Sequence, residues 1–409
     1  MKFLDITLSY HETSGGIRTY LDEKRRYLLR HTDHEHVLII PDDHDDVDTT
    51  DRTKTYRIAS PIIPGYAPYR MFWRPDKITH ILDEVNADVI ELGSFYADAW
   101  AVRSHIQRRK EAGERCCVGA YFHTDVAEAF VAGPLKRAVH DSVGEWMPTL
   151  EKIGYQLANF FAGSAESYIK SVFDHCDVRL AASEEQAARL NQYGVDDVQV
   201  VPLGIDLEQF HPDKRSTRIR QELGVQDDEL LLVYAGRLVE EKRVGVLLNA
   251  FSKLPKELKA KLIVMGEGPM RDHLETQAAE LGGATILHYE KDHDRYAALL
   301  ASSDIYVTAG PFETFGLAVI EAQAAGLPVV GVQAGALIER VPSETGRLAE
   351  VDNADEFARL IEDVAQSREE MARRSREHVE QHFSWRKTFD RLLSIYEQKI
   401  RAEVPPQVV

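Results

Sequence analysis

Two glutamates eight positions apart, Glu313 and Glu321, give the first chemical signal, in the stretch Pro311-Phe312-Glu313-Thr314-Phe315-Gly316-Leu317-Ala318-Val319-Ile320-Glu321-Ala322. An apolar run, Ile305–Thr308, precedes the stretch, and Gly326-Leu327-Pro328 closes it, so a strand feeds a loop that opens a helix. The free N–H groups and dipole at such a helix N-terminus attract phosphate. Glu313 sits in the loop and Glu321 about two turns along the helix. Together they could accept paired hydroxyls at two points on one ligand. The plainer alternative is a helix-start carboxylate and a surface residue, and these residues alone leave both open.

A second strand end offers cations. Tyr234-Ala235-Gly236-Arg237-Leu238-Val239-Glu240-Glu241-Lys242 follows the run Leu230–Ala235 and precedes another helix. Arg237 supplies a planar fork and Lys242 a point charge, a pair suited to a diphosphate at the carboxyl edge of a parallel sheet. A third strand end gives Met265-Gly266-Glu267-Gly268-Pro269, where Gly266 permits close backbone approach. This lone G-x-G lacks the third glycine of a dinucleotide fingerprint, which counts against a dehydrogenase. Asp292-His293-Asp294 spells D-x-D, but in this place it predicts the cap of a helix rather than a metal site. The acidic run Asp42-Asp43-His44-Asp45-Asp46 reads as a solvated loop.

The elements that must position these groups alternate. Candidate strands Lys2–Leu8, His36–Ile40, Asp88–Leu92, Val118–Phe122, Val178–Ala181 and Val198–Val201 are separated by helical stretches such as Gly16–Arg30 and Ile78–Glu84. The series restarts with Leu230–Ala235, Lys261–Met265, Thr285–His288, Ile305–Thr308 and Pro328–Val332. Runs this continuously apolar predict strands covered on both faces, as in parallel α/β sheets. Two series predict two doubly wound domains, joined near Pro202-Leu203-Gly204-Ile205-Asp206. A final helix, Trp385–Arg401, carries Phe389, Leu392, Leu393 and Tyr396 at helical spacing.

Composition narrows the class. The chain has 409 residues, 44% hydrophobic, with a formal net charge of −18. That is enough apolar content for two cores, and too acidic for bulk nucleic-acid binding. Cys116, Cys117 and Cys176 form no C-x-x-C pair, so a disulfide framework or structural zinc is not expected and a reducing cytoplasm fits. The N-terminus lacks a signal-peptide pattern, and no apolar run approaches a spanning length. A two-domain solute-binding protein would also alternate strand and helix, but would carry an export signal and have no use for Arg237 and Lys242.

The three motifs together are more specific than any one. G-R-L-x-x-E-K, then G-x-G-P, then E-T-F-G-L-x-x-x-E-A-x-A-x-G-x-P-V-V resembles, in order and spacing, the family 4 retaining glycosyltransferases of GT-B fold. Glu313 and Glu321 match that family's E-x7-E signature. In the first half, Ser14-Gly15-Gly16-Ile17-Arg18 resembles the family's glycine-rich first loop, and Tyr121-Phe122-His123-Thr124-Asp125 its active-site histidine segment. Val201–Asp206 resembles the P-N-G-x-D junction with Leu for Asn, and His382-Phe383-Ser384-Trp385 the return crossover.

The resemblance implies two Rossmann-like domains facing across a cleft. Residues 1–205 would be the acceptor-side domain, 206–385 the nucleotide-sugar domain, and 386–409 a helix returning to the first. It further implies that Arg237 and Lys242 bind the diphosphate and that the backbone at Phe315, Gly316 and Leu317 cradles the distal phosphate. Glu321 would accept the ribose hydroxyls, and Glu313 would hold the transferred sugar. Gly266 would line the nucleotide, His123 would contact the sugar, and Gly15 and Gly16 would let the first loop approach the phosphates. Retention of configuration and independence of metal are part of the same implication, with no cofactor beyond the donor substrate.

One departure is Leu287-His288-Tyr289-Glu290, where Tyr289 replaces a glycine the family often has beside the base. The segments Leu299–Asp304 and Thr308-Ala309-Gly310 look like a bacterial α-mannosyltransferase subgroup, favouring GDP-mannose over UDP-glucose. A glucosyltransferase, a sugar-nucleotide epimerase and a phosphorylase are the alternatives on the same architecture. The acceptor would be a glycan, a lipid or a small-molecule hydroxyl. The stretch Gly133-Pro134-Leu135-Lys136-Arg137 through Trp146, Lys152 and Phe160-Phe161 has the basic, aromatic character of a membrane-docking patch. Net charge −18 favours ordinary helices there. The expected location is cytoplasmic, with weak peripheral contact at the inner face of the plasma membrane as the alternative.

Overall fold

Continuous apolar runs become buried central strands. The structure is a computed structural model describing residues 1–11, 16–63, 69–95, 97–123 and 163–402. The chain divides into two compact units, Met1–Val201 with Phe389–Val409, and Pro202–Thr388.

The N-terminal unit holds an eight-stranded sheet in the order β3-β4-β2-β1-β5-β6-β7-β8. Its strands are β1 Lys2–Ile6, β2 Glu35–Asp42, β3 Asp46–Thr49, β4 Thr53–Ala59, β5 Val89–Leu92, β6 Cys117–Phe122, β7 Val178–Ala181 and β8 Val198–Val200. Every residue of β5 and β6 is buried, as expected for strands with helices on both faces. These helices are α1 Gly16–His31, α2 Pro75–Val85, α3 Ala97–Glu111, α4 (163–173) and α5 Glu184–Gln192. All ladders are parallel except β3 on β4, where Asp46 faces Arg57 and Thr49 faces Lys54.

That hairpin is absent from the sequence reading. The strand β4, TKTYRIA, alternates polar and apolar residues, and all four residues of β3 are exposed. An edge pair of this kind leaves no continuous apolar run. The acidic run spans the β2–β3 turn, with Asp42 ending β2 and Asp46 opening β3. Its exposed Asp43 and His44 and half-buried Asp42 bring their ligand atoms within 4.8 Å of one another.

The C-terminal unit holds six parallel strands in the order β11-β10-β9-β12-β13-β14. They are β9 Leu230–Ala235, β10 Ala260–Met265, β11 Ala284–Leu287, β12 Ile305–Val307, β13 Val329–Val332 and β14 Gly346–Ala349. The helices are α6 Thr217–Glu222, α7 Val244–Ser252, α8 Arg271–Leu281, α9 His293–Ser302, α10 Leu317–Ala324, α11 Leu337–Arg340, α12 Ala354–Gln366 and α13 Arg368–His382, and α14 Trp385–Ala402 belongs from Phe389 onward to the N-terminal unit. Asp292 caps α9, accepting from the N–H groups of Asp294 at 2.9 Å and Arg295 at 3.2 Å, which is the cap that the D-x-D triplet predicts.

Chain order reverses between β9 and β12, the two central strands, so the switch point of this sheet lies where the β9 and β12 loops leave. Open α/β sheets bind ligands at that point, outside the carboxyl ends. The three cysteines are free. Among the described residues no helix is long and apolar enough to cross a membrane. The 133–161 stretch lies outside the described residues.

Candidate active site

The strand-end loops of the C-terminal unit interlock. Gly236 N–H donates to Met265 O at 3.0 Å and Leu238 N–H to Glu267 O at 2.8 Å, joining the β9 and β10 loops. A Cβ on Gly266 would lie 1.8 Å from Gly236 O, so only glycine permits this approach. Buried tyrosines brace the same loops. Tyr234 hydroxyl donates to Arg237 O at 3.1 Å, and Tyr306 hydroxyl to Ala235 O at 3.0 Å.

Arg237 is 64% exposed and pairs with Glu241 at 2.8 Å. Lys242, five residues on, is turned inward. Its ammonium donates to Glu313 Oε2 at 2.7 Å, with side-chain exposures of 18% and 24%. Burial would raise the Glu313 pKa, but the Lys242 and Arg237 cations and the Gly316 N–H hold it below the usual value. Glu313 thus stays ionised at the head of α10. The helix-start reading and the ligand-facing reading of this residue describe one position.

The loop that carries Glu313 is fixed from behind. Gly316, at φ 80°, is the cap of α10. The Phe315 ring is buried, with the Arg340 guanidinium 4.4 Å from its centroid. Arg340 Nε also donates to Phe315 O at 3.1 Å. Ala336 N–H donates to Glu313 O at 2.8 Å. Gly335, at φ +54°, allows the approach, since a Cβ there would lie 2.7 Å from Glu313 O. The backbone of Phe315 and Leu317 stands at the helix start beside the Gly316 N–H, which faces the Glu313 carboxylate, a kind of place that binds anions.

Glu321 lies on α10 in different surroundings. Tyr296 of α9 donates its hydroxyl to Glu321 Oε2 at 2.8 Å. Burial pushes the Glu321 pKa up to about 7 against that single opposing hydrogen bond. The two glutamates of the motif therefore differ in charge state: one is ionised by a cation, the other poised near neutrality.

The remaining expected residues lie in the N-terminal unit. Gly16 is the first residue of α1, while Ser14, Gly15, Thr124 and Asp125 lie outside the described residues. His123 follows β6, its ring stacked on Tyr121 at 4.1 Å and 4° and packed against Tyr20 at 5.1 Å. Burial lowers its pKa to about 3, so it presents a neutral imidazole at physiological pH.

Beneath it runs a buried polar network that the sequence reading missed. Lys24 pairs with Asp5 at 2.8 Å and with Glu91 at 3.1 Å. Tyr20 donates to Glu91 at 2.8 Å and Tyr396 to Glu91 at 2.7 Å. Every buried charge here has a partner. Tyr296 and Arg340 were missed as well. Each is one polar-ended residue in a helix, with no motif to mark it.

Two units, each built on a parallel doubly wound sheet, match the fold of the GT-B glycosyltransferases. Residues 14–209 match the family described as Glycosyltransferase Family 4, and residues 215–382 that described as Glycosyl transferases group 1. The chain belongs to the family 4 glycosyltransferases and is a hexosyltransferase resembling bacterial mannosyltransferases.

A GDP-mannose-dependent alpha-(1-6)-phosphatidylinositol dimannoside mannosyltransferase of Mycobacterium tuberculosis is 28% identical over 96% of this chain and 95% of its own length. A D-inositol 3-phosphate glycosyltransferase of Saccharomonospora viridis is 32% identical over 58% of each chain. Among solved structures, sucrose-phosphate synthase from Thermosynechococcus elongatus superposes with a TM-score of 0.74 at 18% identity, covering 98% of this chain and all of that one.

Proposed function

We propose that the protein transfers mannose from GDP-mannose to a hydroxyl acceptor, with retention of configuration and without a metal ion. The observation that carries this reading is the half-buried Lys242–Glu313 pair at 2.7 Å, set at the N-terminus of α10. Arg237 and Lys242 bind the diphosphate, and the N–H groups at Phe315, Gly316 and Leu317 take the distal phosphate. Two cations and a helix start neutralise the charge that grows as GDP departs, the task a metal performs elsewhere. Glu321 accepts the ribose hydroxyls, and Glu313 holds hydroxyls of the sugar. Gly266 lines the nucleotide, and Gly15 and Gly16 admit the first loop to the phosphates.

In the reaction the bond from C1 to the phosphate oxygen breaks and a bond from C1 to the acceptor oxygen forms on the same face. The acceptor proton passes to the departing phosphate oxygen, giving GDP. His123, neutral, donates or accepts a hydrogen bond to the sugar without charging. The donor preference rests on the subgroup resemblance and on the name of the Mycobacterium relative, which also makes a mannosylated lipid the first acceptor to try.

The test is a panel of GDP, UDP, ADP and NAD in chelator, read by thermal shift. GDP-mannose turnover on lipid and on water-soluble mannosides, with product anomers assigned by NMR, follows. Selective stabilisation by GDP and an α product support the reading. Selective stabilisation by UDP moves the donor to UDP-glucose, and activity that requires an added metal overturns the charge argument.

A further inference from the structure

The second glutamate of the motif is held by a residue that no motif includes. Tyr296 reaches Glu321 from α9, the neighbouring helix, across a separation of 25 residues. Its ring is fixed by an edge contact with Phe210, centroids 5.8 Å apart at 82°. Phe210 is itself buried, and its carbonyl accepts from Arg376 at 2.7 Å. The hydroxyl therefore has a determined place and direction. Glu321 Oε1, the second oxygen, takes no hydrogen bond from a described residue.

We propose that Tyr296 is a positioning residue of the nucleotide site, fixing Glu321 Oε2 and presenting Oε1 to the ribose diol. The inference rests on the assignment of Glu321 to the ribose and deepens it. An ionised carboxylate offers both oxygens as acceptors, whereas the protonated group turns one of them into a donor, and the Tyr296 hydroxyl is the group here that favours the ionised form. Other titratable groups on the packed elements are engaged elsewhere. Asp294 and Arg295 of α9 pair with Lys214 and Glu222 at 2.9 Å each. Arg376 of α13 donates to the carbonyls of Phe210 and Ala324, and Tyr306 of β12 to that of Ala235. Tyr289 is 55% exposed. Nucleotide binding then becomes a proton-linked event, in which the ribose replaces the proton on Glu321.

The test compares GDP affinity of wild type, Tyr296→Phe and Glu321→Gln by calorimetry between pH 7 and 8.5. Wild-type to variant ratios are read, so that titration of the phosphate itself cancels. A hydrogen bond to a charged acceptor is worth about one pKa unit or more. Tyr296→Phe should therefore bind GDP about fivefold more weakly at pH 7 and within about twofold of wild type at pH 8.5. It should also release more protons on binding at pH 7. No loss at any pH, while Glu321→Gln still weakens binding, overturns the positioning role; a loss that is equal at all pH values overturns the proton linkage. If Glu321→Gln binds GDP like wild type, the ribose assignment itself is wrong.

Discussion

Replacing Glu321 by Gln should stabilise the protein where nucleotide binding suffers. In the folded chain the Glu321 carboxyl titrates at about 7, against 4.5 for an ordinary glutamate. Below pH 4.5 it is protonated in both folded and unfolded states and contributes nothing. Between the two values the folded state holds the proton more tightly, so stability falls as pH rises through this window, and above about 7 the penalty is complete. At about 1.36 kcal/mol per unit, a shift of about 2.5 units corresponds to about 3 kcal/mol. Because the side chain is only partly buried, a realised value of about 1–3 kcal/mol is expected. The Gln carbonyl can still accept from Tyr296, so little is lost in exchange. For a unit of this size the variant should melt several degrees higher at pH 8, at about 2–4 °C per kcal/mol. The two proteins should converge toward pH 4.5. Thermal and urea melts of both across pH 4.5–8.5 measure this. A destabilised variant at pH 8, or a gain that does not depend on pH, would refute the argument that burial strains this carboxylate.

Other expectations concern the loops and the imidazole. Arg237→Ala, at an exposed side chain, should lower kcat/KM about 10²–10³-fold with an unchanged melt. Lys242→Ala should lower it as much and also destabilise, because Glu313 loses its cation. Wild-type kinetics in either variant would remove the residue from the site. Gly335→Ala puts a Cβ 2.7 Å from Glu313 O at positive φ, so turnover and stability should both fall, by at least about 1 kcal/mol for the latter; a silent substitution would mean the loop is not held from that side. The His123 ring signals in an NMR titration should stay flat from pH 5 to 8, because burial places its pKa at about 3; a midpoint near 6.5 would place the ring in water.

The fold was legible wherever burial on both faces wrote an uninterrupted apolar run, as in LLLVYA of β9 and CVGAYF of β6. It was illegible at the margins. The strand GRLA of β14 pairs on one side only, against β13, and has two half-buried residues, so its run is too short and mixed to stand out. In the candidate site, the glycine-bearing loops were readable because close approach restricts residue type at Gly266. What the motif could not show is that Glu313 and Glu321 differ. Their difference comes from partners 71 and 25 residues distant, Lys242 and Tyr296. Sequence spacing reports the loop and the helix that carry them, not the side chains that other loops and helices bring to them.

The return of α14 to the first unit has a consequence for how the protein is made. The unit Pro202–Thr388 is one unbroken segment, and all its strands and loops exist before the last helix is translated. The N-terminal unit, though synthesised first, then still lacks Phe389, whose ring packs on Tyr20 and Tyr27, and Tyr396, which supplies a donor to the buried Glu91. Gly119 in the middle of β6 is the seat kept for that tyrosine, since a Cβ there would lie within 2.0 Å of its hydroxyl. Until residue 396 folds back, Glu91 keeps Lys24 and Tyr20 but lacks its third partner, so the half of the chain that is synthesised first cannot finish its core before the last helix is in place.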